Sequence, residues 1–194
     1  MKIQHDVSSI IQPCGPMFKH CGFPVKIWSR AHLAGLEHIT LGHHIIIDDF
    51  VLIIASMETN IGSYVHIASF SSITGGGKFT MEDFSSFSSG VRAITGTEDF
   101  AGGTCLTNPT VPEPFRVAHR GEIILRKHSM IGTNAVILPD VEIGEGTVVG
   151  AGAVVNRSLD PWMVYAGVPA KPIRPRPKDK ILWLEEEFYN TYGR

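Results

Sequence analysis

Cysteine is scarce in this chain. There are three, Cys14, Cys21 and Cys105, in 194 residues. An odd number at wide spacing builds neither a disulfide framework nor a zinc knuckle, so they read as ordinary thiols in a reducing cytoplasm. Positive charge is not in excess either. The formal net charge is -2, and no nucleic-acid partner is expected without a Lys/Arg stripe. No apolar run approaches the roughly 18 residues that cross a bilayer, so no membrane insertion is expected. The opening MKIQHDVSS lacks a charged stretch followed by an apolar one, so no secretory signal is expected. Hydrophobic residues make up 43% and charged residues 19%, the balance of one globular domain with a sizeable core.

Helical and strand periods are also missing from most of the chain. A period of six replaces them. From Ile131 the sequence reads IGTNAV, ILPDVE, IGEGTV, VGAGAV, with an aliphatic residue opening each unit and often a glycine second. LRKHSM precedes this run and VNRSLD follows it. Three earlier runs, starting at Leu41, Ile61 and Met81, each hold three hexads. Two extra residues separate them, at Thr59-Asn60 and Phe79-Thr80. A short fixed period marks a β-solenoid, in which three hexads close one triangular turn and the aliphatic residues stack inside. The fold class expected is therefore all-β, a parallel β-helix of about five to six coils. The stretch FPVKIWSRAHLAGLEHI, in poor register, could supply part of a further coil. Glycine in second place is expected to serve the backbone geometry of the corner.

Two segments break the period. Residues 96–121, rich in Gly, Pro, Thr and acidic side chains, form a long loop, and such loops inside compact domains are commonly functional. After the Pro-rich PAKPIRPRP, residues 177–194 read as a helix with an apolar stripe at Ile181, Leu182, Leu184, Phe188 and Tyr189. It is expected to cap the open end of the coil. The organisation expected is an N-terminal segment (1–24), the coil (25–176) and the helix.

Several blocks in order carry a family resemblance: Ile47–Phe50 (IDDF), Tyr64–Ala68 (YVHIA), Thr97–Phe100 (TEDF), Leu106–Pro112 (LTNPTVP) and Trp162–Lys171 (WMVYAGVPAK). The chain resembles the left-handed parallel β-helix acyltransferases of the hexapeptide-repeat family. Within them it is similar to bacterial sugar acetyltransferases of surface-polysaccharide pathways. One departure is Phe100, where tyrosine is common. The resemblance implies a homotrimer with active sites at subunit interfaces. It implies acetyl-CoA as co-substrate, no metal, and a nucleotide-linked amino-dideoxy sugar as acceptor, dTDP-4-amino-4,6-dideoxyglucose foremost.

Acetyl transfer needs a proton acceptor, an oxyanion donor and a held pantetheine arm. Many sugar O-acetyltransferases of the family place a histidine where the loop leaves the coil. Here Glu98 and Asp99 stand there, a pair able to take a proton from an amine or to hold an ammonium. An acidic solvated turn is the plainer reading of the same two residues. His66, outward in IGSYVH, and His119, late in the loop, are further candidate bases. His43, His44 and His128 read as surface or packing residues. By resemblance Gly132, Thr133, Gly150 and Ala151 lie against pantetheine. Lys171 and Arg174, with Arg157 a weaker match, would meet the cofactor's phosphates. Asp48 and Asp49 would touch the sugar or its nucleotide. Three other readings stay open: an O-acetyltransferase using His66 or His119, a zinc lyase of the γ-carbonic-anhydrase type, and a non-catalytic scaffold. The lyase needs three histidine ligands, yet the His38-x4-His43 pair precedes His66, in the wrong order for that family.

Overall fold

The computed structural model describes residues 10–11, 17–102 and 105–193. Cys14 and most of the 1–24 segment lie outside the described residues. The rest is a parallel β-solenoid with three faces and a C-terminal helix. The first face carries Val25–Trp28, Ile45–Ile47, His66–Ile67, Ser86–Phe87, Met130–Ile131, Val148–Val149 and Met163–Ala166. The second carries His32–Ala34, Leu52–Ile54, Ser72–Thr74, Arg92–Ile94, Val136–Ile137 and Val154–Val155. The third carries His20–Cys21, Ile39–Leu41, Thr59–Ile61, Lys78–Met81, Glu122–Leu125 and Val141–Ile143. The coil therefore makes about seven turns, more than the five to six expected. The difference is the stretch of poor register. It is a full coil of the earlier type, with Val25, Ile27, Ile39 and Leu41 all buried.

The hexad works through two inward positions, the first and the fifth. In LGHHII, IDDFVL and IGSYVH these are Leu41 and Ile45, Ile47 and Val51, Ile61 and Val65, all buried. Ser71, Ser85, Ser129 and Thr147 take the fifth position elsewhere and are buried too. For three of them a neighbouring carbonyl accepts the buried O–H, Ser88 for Ser71, Glu82 for Ser85 and Asp160 for Thr147, whereas Ser129 Oγ is buried without a partner.

The corner glycine differs from expectation. The left-handed residue is the fourth of the hexad, not the second. His44, Phe50, Tyr64, Phe70, Phe84, His128, Asn134 and Asp140 all hold φ of 55–66° there. Left-handed backbone costs a non-glycine residue about 1–2 kcal/mol. Stacking between coils offsets part of this at the third corner, where the third face turns into the first. His44, Tyr64, Phe84 and His128 form a column of near-parallel rings 4.8–5.2 Å apart. Glycine in second place answers a different need. A Cβ at Gly144 would lie 2.5 Å from Pro161 N and 2.7 Å from its Cα, on the next coil.

Extra chain length collects at the second corner, between the second and third faces. Each of the first three coils carries two additional residues there, and residues 96–121 emerge from the same place. The helix, Asp179–Tyr192, does not lie across the end of the coil as expected; it packs along the third corner. Phe188 meets Tyr64 and Phe84 edge-on, and Glu185 accepts hydrogen bonds from Lys127 and His128. The edges of the first face are covered instead by antiparallel strands, Ile10–Ile11 at one side and Lys171–Pro175 at the other.

Burial opposes the charge on Glu185, but the hydrogen bonds from Lys127 and His128 outweigh it and hold the carboxyl below its ordinary value. Burial likewise opposes the Lys127 charge, and Glu185 outweighs it, raising the ammonium. A depressed carboxyl stabilises the fold fully above the ordinary carboxylate range, and that stability is lost as pH falls through the lowered value. Glu185→Gln is accordingly expected to lower the melting temperature at pH 7 by several degrees and to flatten its fall between about pH 5 and 3, read by thermal melts. Gly144→Ala should cost about 1–3 kcal/mol in denaturant unfolding, because backbone must shift. Gly152→Asn should be nearly neutral: Gly152 has φ 67°, open space around it, and Asn134 already adopts that conformation one coil earlier.

Candidate functional site

The inter-coil register lines up the expected ligand-binding residues. Ile47, Ile67, Phe87, Ile131 and Val149 pair in succession across the first face. The two residues after each open the first corner, between the first and second faces. They read Asp48-Asp49, Ala68-Ser69, Ser88-Ser89, Gly132-Thr133 and Gly150-Ala151. At roughly 4.8 Å per coil this stripe spans about 19 Å. It changes from acidic, through hydroxyl, to small and featureless. The Gly132 and Gly150 amides are used in the ladder, donating to Val149 O and Tyr165 O at 2.7 Å. What these two glycines offer a ligand is therefore bare backbone surface, not free donors.

At the acidic end His66 Nε2 lies 3.0 Å from Asp48 Oδ2, one coil away, with the imidazole about half exposed. A carboxylate on one ring nitrogen fixes the ring and leaves the other nitrogen for a proton. Asp49 Oδ1 accepts the Arg30 backbone N–H at 3.0 Å, closing the corner above it. Both aspartates thus have partners within the chain.

The loop leaves the second corner as a hairpin, Gly96–Glu98 paired antiparallel with Ala118–Arg120. Glu98 and Asp99, adjacent in sequence, have different surroundings. Glu98 Oε1 binds Arg116 Nη1 at 3.1 Å, with the side chains only 24% and 20% exposed. Glu98 Oε2 and Arg116 Nε are buried without a hydrogen-bond partner. A carboxylate held by a guanidinium makes a good clamp. Asp99 has no cation on it among the described contacts. Its Oδ1 accepts Ala101 N–H at 3.0 Å, and its Oδ2 lies 3.4 Å from Cys105 Sγ. His119, across the hairpin from Thr97, bonds Asp140 at the same corner, and Arg120 donates to Gly75 O.

One chain does not bring the two groups together. The first corner holds the stripe with His66, and the second holds Glu98, Asp99 and His119. The second face separates them, one hexad of near-extended chain and so about 20 Å. Lys171 pairs with Ala166 and Arg174 with Val164, so both extend the first face beyond Gly150, and both are exposed. Arg157 falls at the second corner, apart from them. His38 ends a turn before the third face, His43 sits at the third corner and His66 on the first face. Among the described residues no three His, Cys, Asp or Glu side chains are grouped to hold a metal ion. His128 is not a surface residue but is buried under the helix. A cleft of about 900 Å³ lies between the helix and the third corner; His43 and His44 line it, and none of the candidate catalytic or cofactor-binding residues does.

Sequence reading passed over Ser69, Ser88 and Ser89. They fill the middle of the stripe and fall on second and third hexad positions, which aligning the hexads by coil would have exposed. It also passed over Arg116, whose partnership with Glu98 spans 18 residues of loop without a periodic signal.

Comparison with known proteins adds to this geometry. The family profile for the bacterial transferase hexapeptide (six repeats) matches residues 122–157. A dTDP-4-amino-4,6-dideoxy-D-glucose acyltransferase of Escherichia coli is 39% identical over 172 residues, 88% of each chain. A putative lipopolysaccharide biosynthesis O-acetyl transferase of Escherichia coli K12 is 30% identical over 163 residues, covering 83% of this chain and 81% of the relative. The crystal structure of an N-acyltransferase from Bacillus cereus, AntD, with dTDP and 3-hydroxybutyryl-CoA superposes with a TM-score of 0.85. It shares 37% identity, covering 92% of this chain and 93% of that one. A variant of the same enzyme holds dTDP-4-amino-4,6-dideoxyglucose and coenzyme A.

Glu98→Gln should free Arg116 and loosen the hairpin. Limited proteolysis is expected to cut within residues 99–116 several-fold faster, and Arg116→Met should produce the same pattern.

Proposed function

Because the chain belongs to the hexapeptide-repeat acyltransferase family shared with its 39%-identical relative, we propose that it acetylates the amino group of a nucleotide-linked 4-amino-4,6-dideoxyhexose. The acceptor is dTDP-4-amino-4,6-dideoxyglucose, the donor acetyl-CoA, and the product a precursor of O-antigen or a related surface polysaccharide. The enzyme works as a cytoplasmic homotrimer. No helix among the described residues is long and apolar enough to cross a membrane. The observation that carries this reading is the division of the site between corners. The small-residue stripe suits an acyl-CoA arm, and the acidic hairpin suits an amine. A neighbouring copy is what would bring one chain's hairpin to another chain's stripe.

In the reaction the neutral amine attacks the thioester carbonyl. A C–N bond forms, the C–S bond breaks, and coenzyme A leaves as the thiol once the amine proton has moved. Asp99 is the group poised to hold the incoming ammonium by charge and to receive the released proton. Glu98 acts through Arg116 to position the hairpin. Gly132, Thr133, Gly150 and Ala151 give the pantetheine arm a flat track, and Lys171 and Arg174 lie beyond it where the nucleotide phosphates of coenzyme A would reach. Arg157, at the other corner, reaches them only if it comes from a neighbouring copy. His119, tied to Asp140, lines the acceptor side.

A second reading is favoured by one observation, the His66–Asp48 pair. A histidine oriented by a carboxylate suits a hydroxyl acceptor, which needs a stronger base than an amine does.

The test is thiol release from acetyl-CoA and 3-hydroxybutyryl-CoA with dTDP-4-amino and dTDP-3-amino dideoxyhexoses, their UDP counterparts and plain galactosides. Fast release with one amino sugar nucleotide is expected. Release only with hydroxyl acceptors would shift the assignment to His66. Asp99→Asn is expected to lower kcat by roughly 10²-fold or more with coenzyme A affinity unchanged, whereas Glu98→Gln should cost less. Wild-type turnover in Asp99→Asn would remove it from the mechanism.

A further inference from the structure

The ring column of the third corner breaks near the end of the coil. Beyond His128 the next coil has Gly146 in fourth place, and the coil after it has Trp162, with φ of 65° and 57°. The Trp162 indole fills the place a ring on Gly146 would take, and a Cβ there would run into it. One side chain spans this break. Arg176 Nη1 donates to His128 O at 2.9 Å and to Gly146 O at 2.8 Å. The guanidinium carbon stands 6.0 Å from the centre of the indole, and the Arg176 backbone N–H donates to Trp162 O at 2.7 Å. Arg176 thus ties three successive coils together. Among the described residues no carboxylate is paired with it, and burial draws the guanidinium below its ordinary value.

Its place in the chain gives this anchor a use. Arg176 directly follows the strand Lys171–Pro175, which has one neighbour, Met163–Ala166, with a register shift between Val164 and Tyr165. All five residues of the strand are exposed, and Pro172 and Pro175 have no N–H to give a ladder. Such an edge is loosely held by its own hydrogen bonds, so its ends decide where it lies. The start is fixed by Ala170, buried and donating its N–H to Val154 O at 2.8 Å. The far end is fixed by Arg176. Five steps of extended chain, about 17 Å, separate Arg176 from Lys171. A guanidinium turned into the third corner is therefore not the group that meets a ligand beside Lys171.

We propose that Arg176 is a positioning residue for the acyl donor. By fixing the end of this strand it sets where Lys171 and Arg174 stand, and with them the grip on the phosphates of coenzyme A, without touching the cofactor. The helix shares the same junction, since Glu185 holds the His128 ring while Arg176 holds its carbonyl. The inference rests on the reading that coenzyme A runs along the stripe with its phosphates at Lys171 and Arg174.

The experiment is isothermal titration of the intact protein with coenzyme A and 3′-dephospho-coenzyme A. The proteins are the wild type, Arg176→Met, Arg176→Lys, the pair Lys171→Met with Arg174→Met, and that pair combined with Arg176→Met. Thermal melts identify the variants that are folded at the titration temperature. Arg176→Met is expected to raise the Kd of coenzyme A about tenfold and that of the dephospho form less, so the preference between them shrinks. KM for acetyl-CoA should rise in parallel, with kcat changed by less than about twofold. Arg176→Lys keeps a cation for the two carbonyls but not the flat stack on Trp162. It should recover part of the loss, and it carries the comparison should Arg176→Met not fold. In the background of Lys171→Met with Arg174→Met, Arg176→Met should add almost nothing, because it acts through those two side chains. Wild-type coenzyme A affinity in every folded Arg176 variant, or an undiminished further loss in that background, overturns the positioning role and leaves the donor reading intact. Wild-type affinity in the Lys171→Met and Arg174→Met pair overturns the placement of the phosphates on this strand. No coenzyme A binding by the wild type overturns the donor reading itself.

Discussion

Everything in this molecule depends on coils being hydrogen-bonded to the coils above and below at strand spacing. Gly42 donates to Ile61 O, Gly62 to Met81 O and Gly132 to Val149 O, at 2.7–2.8 Å. That spacing turns each hexad position into a column. The first and fifth positions become the interior, mostly Ile, Val, Leu and Ala, with Met81 and Phe87 at first positions and Ser or Thr at four fifth positions. The second passes so close to its neighbour that glycine recurs there, as at Gly144 against Pro161. The fourth must take left-handed backbone and can carry a ring, because the next ring lies one stacking distance away.

The interior column was legible because it asks one thing of each residue, and aliphatic side chains at a fixed interval answer it. The corner is less legible because glycine suggests φ > 0, while here the left-handed conformation falls mostly to Phe, Tyr, His and Asn. Single-sequence reasoning favours glycine at such positions and does not foresee that stacking between coils can hold a phenylalanine there. The first coil was obscured by its polar inserts, although Val25, Ile27, Ile39 and Leu41 keep the inward pattern.

The site was legible only in pieces. Hexad position placed the stripe from Asp48 to Ala151, since residues 18 to 44 apart in sequence become neighbours once coils are stacked. The charges were not legible. Nothing in TEDF says that Glu98 is bound to Arg116 and Asp99 is not. Nothing in IDDF says that Asp48 faces His66 while Asp49 closes a backbone corner. Pairings across a loop, or diagonally between coils, leave no periodic trace. They nonetheless decide which carboxylate already has a charged partner.

The placement of surplus residues has a further consequence. All variation in coil length, from two residues to the whole 96–121 segment, enters at the second corner, and no column slips out of step because of it. The first corner, with its long smooth stripe, has no such freedom, since one inserted residue would turn every following side chain to the wrong side. The molecule therefore has a ruler and a margin. The ruler suits a ligand of fixed length that must be matched coil by coil. The margin can be rewritten without recalibrating the ruler. A protein built this way can diverge in what it recognises at one corner while its opposite corner stays nearly constant.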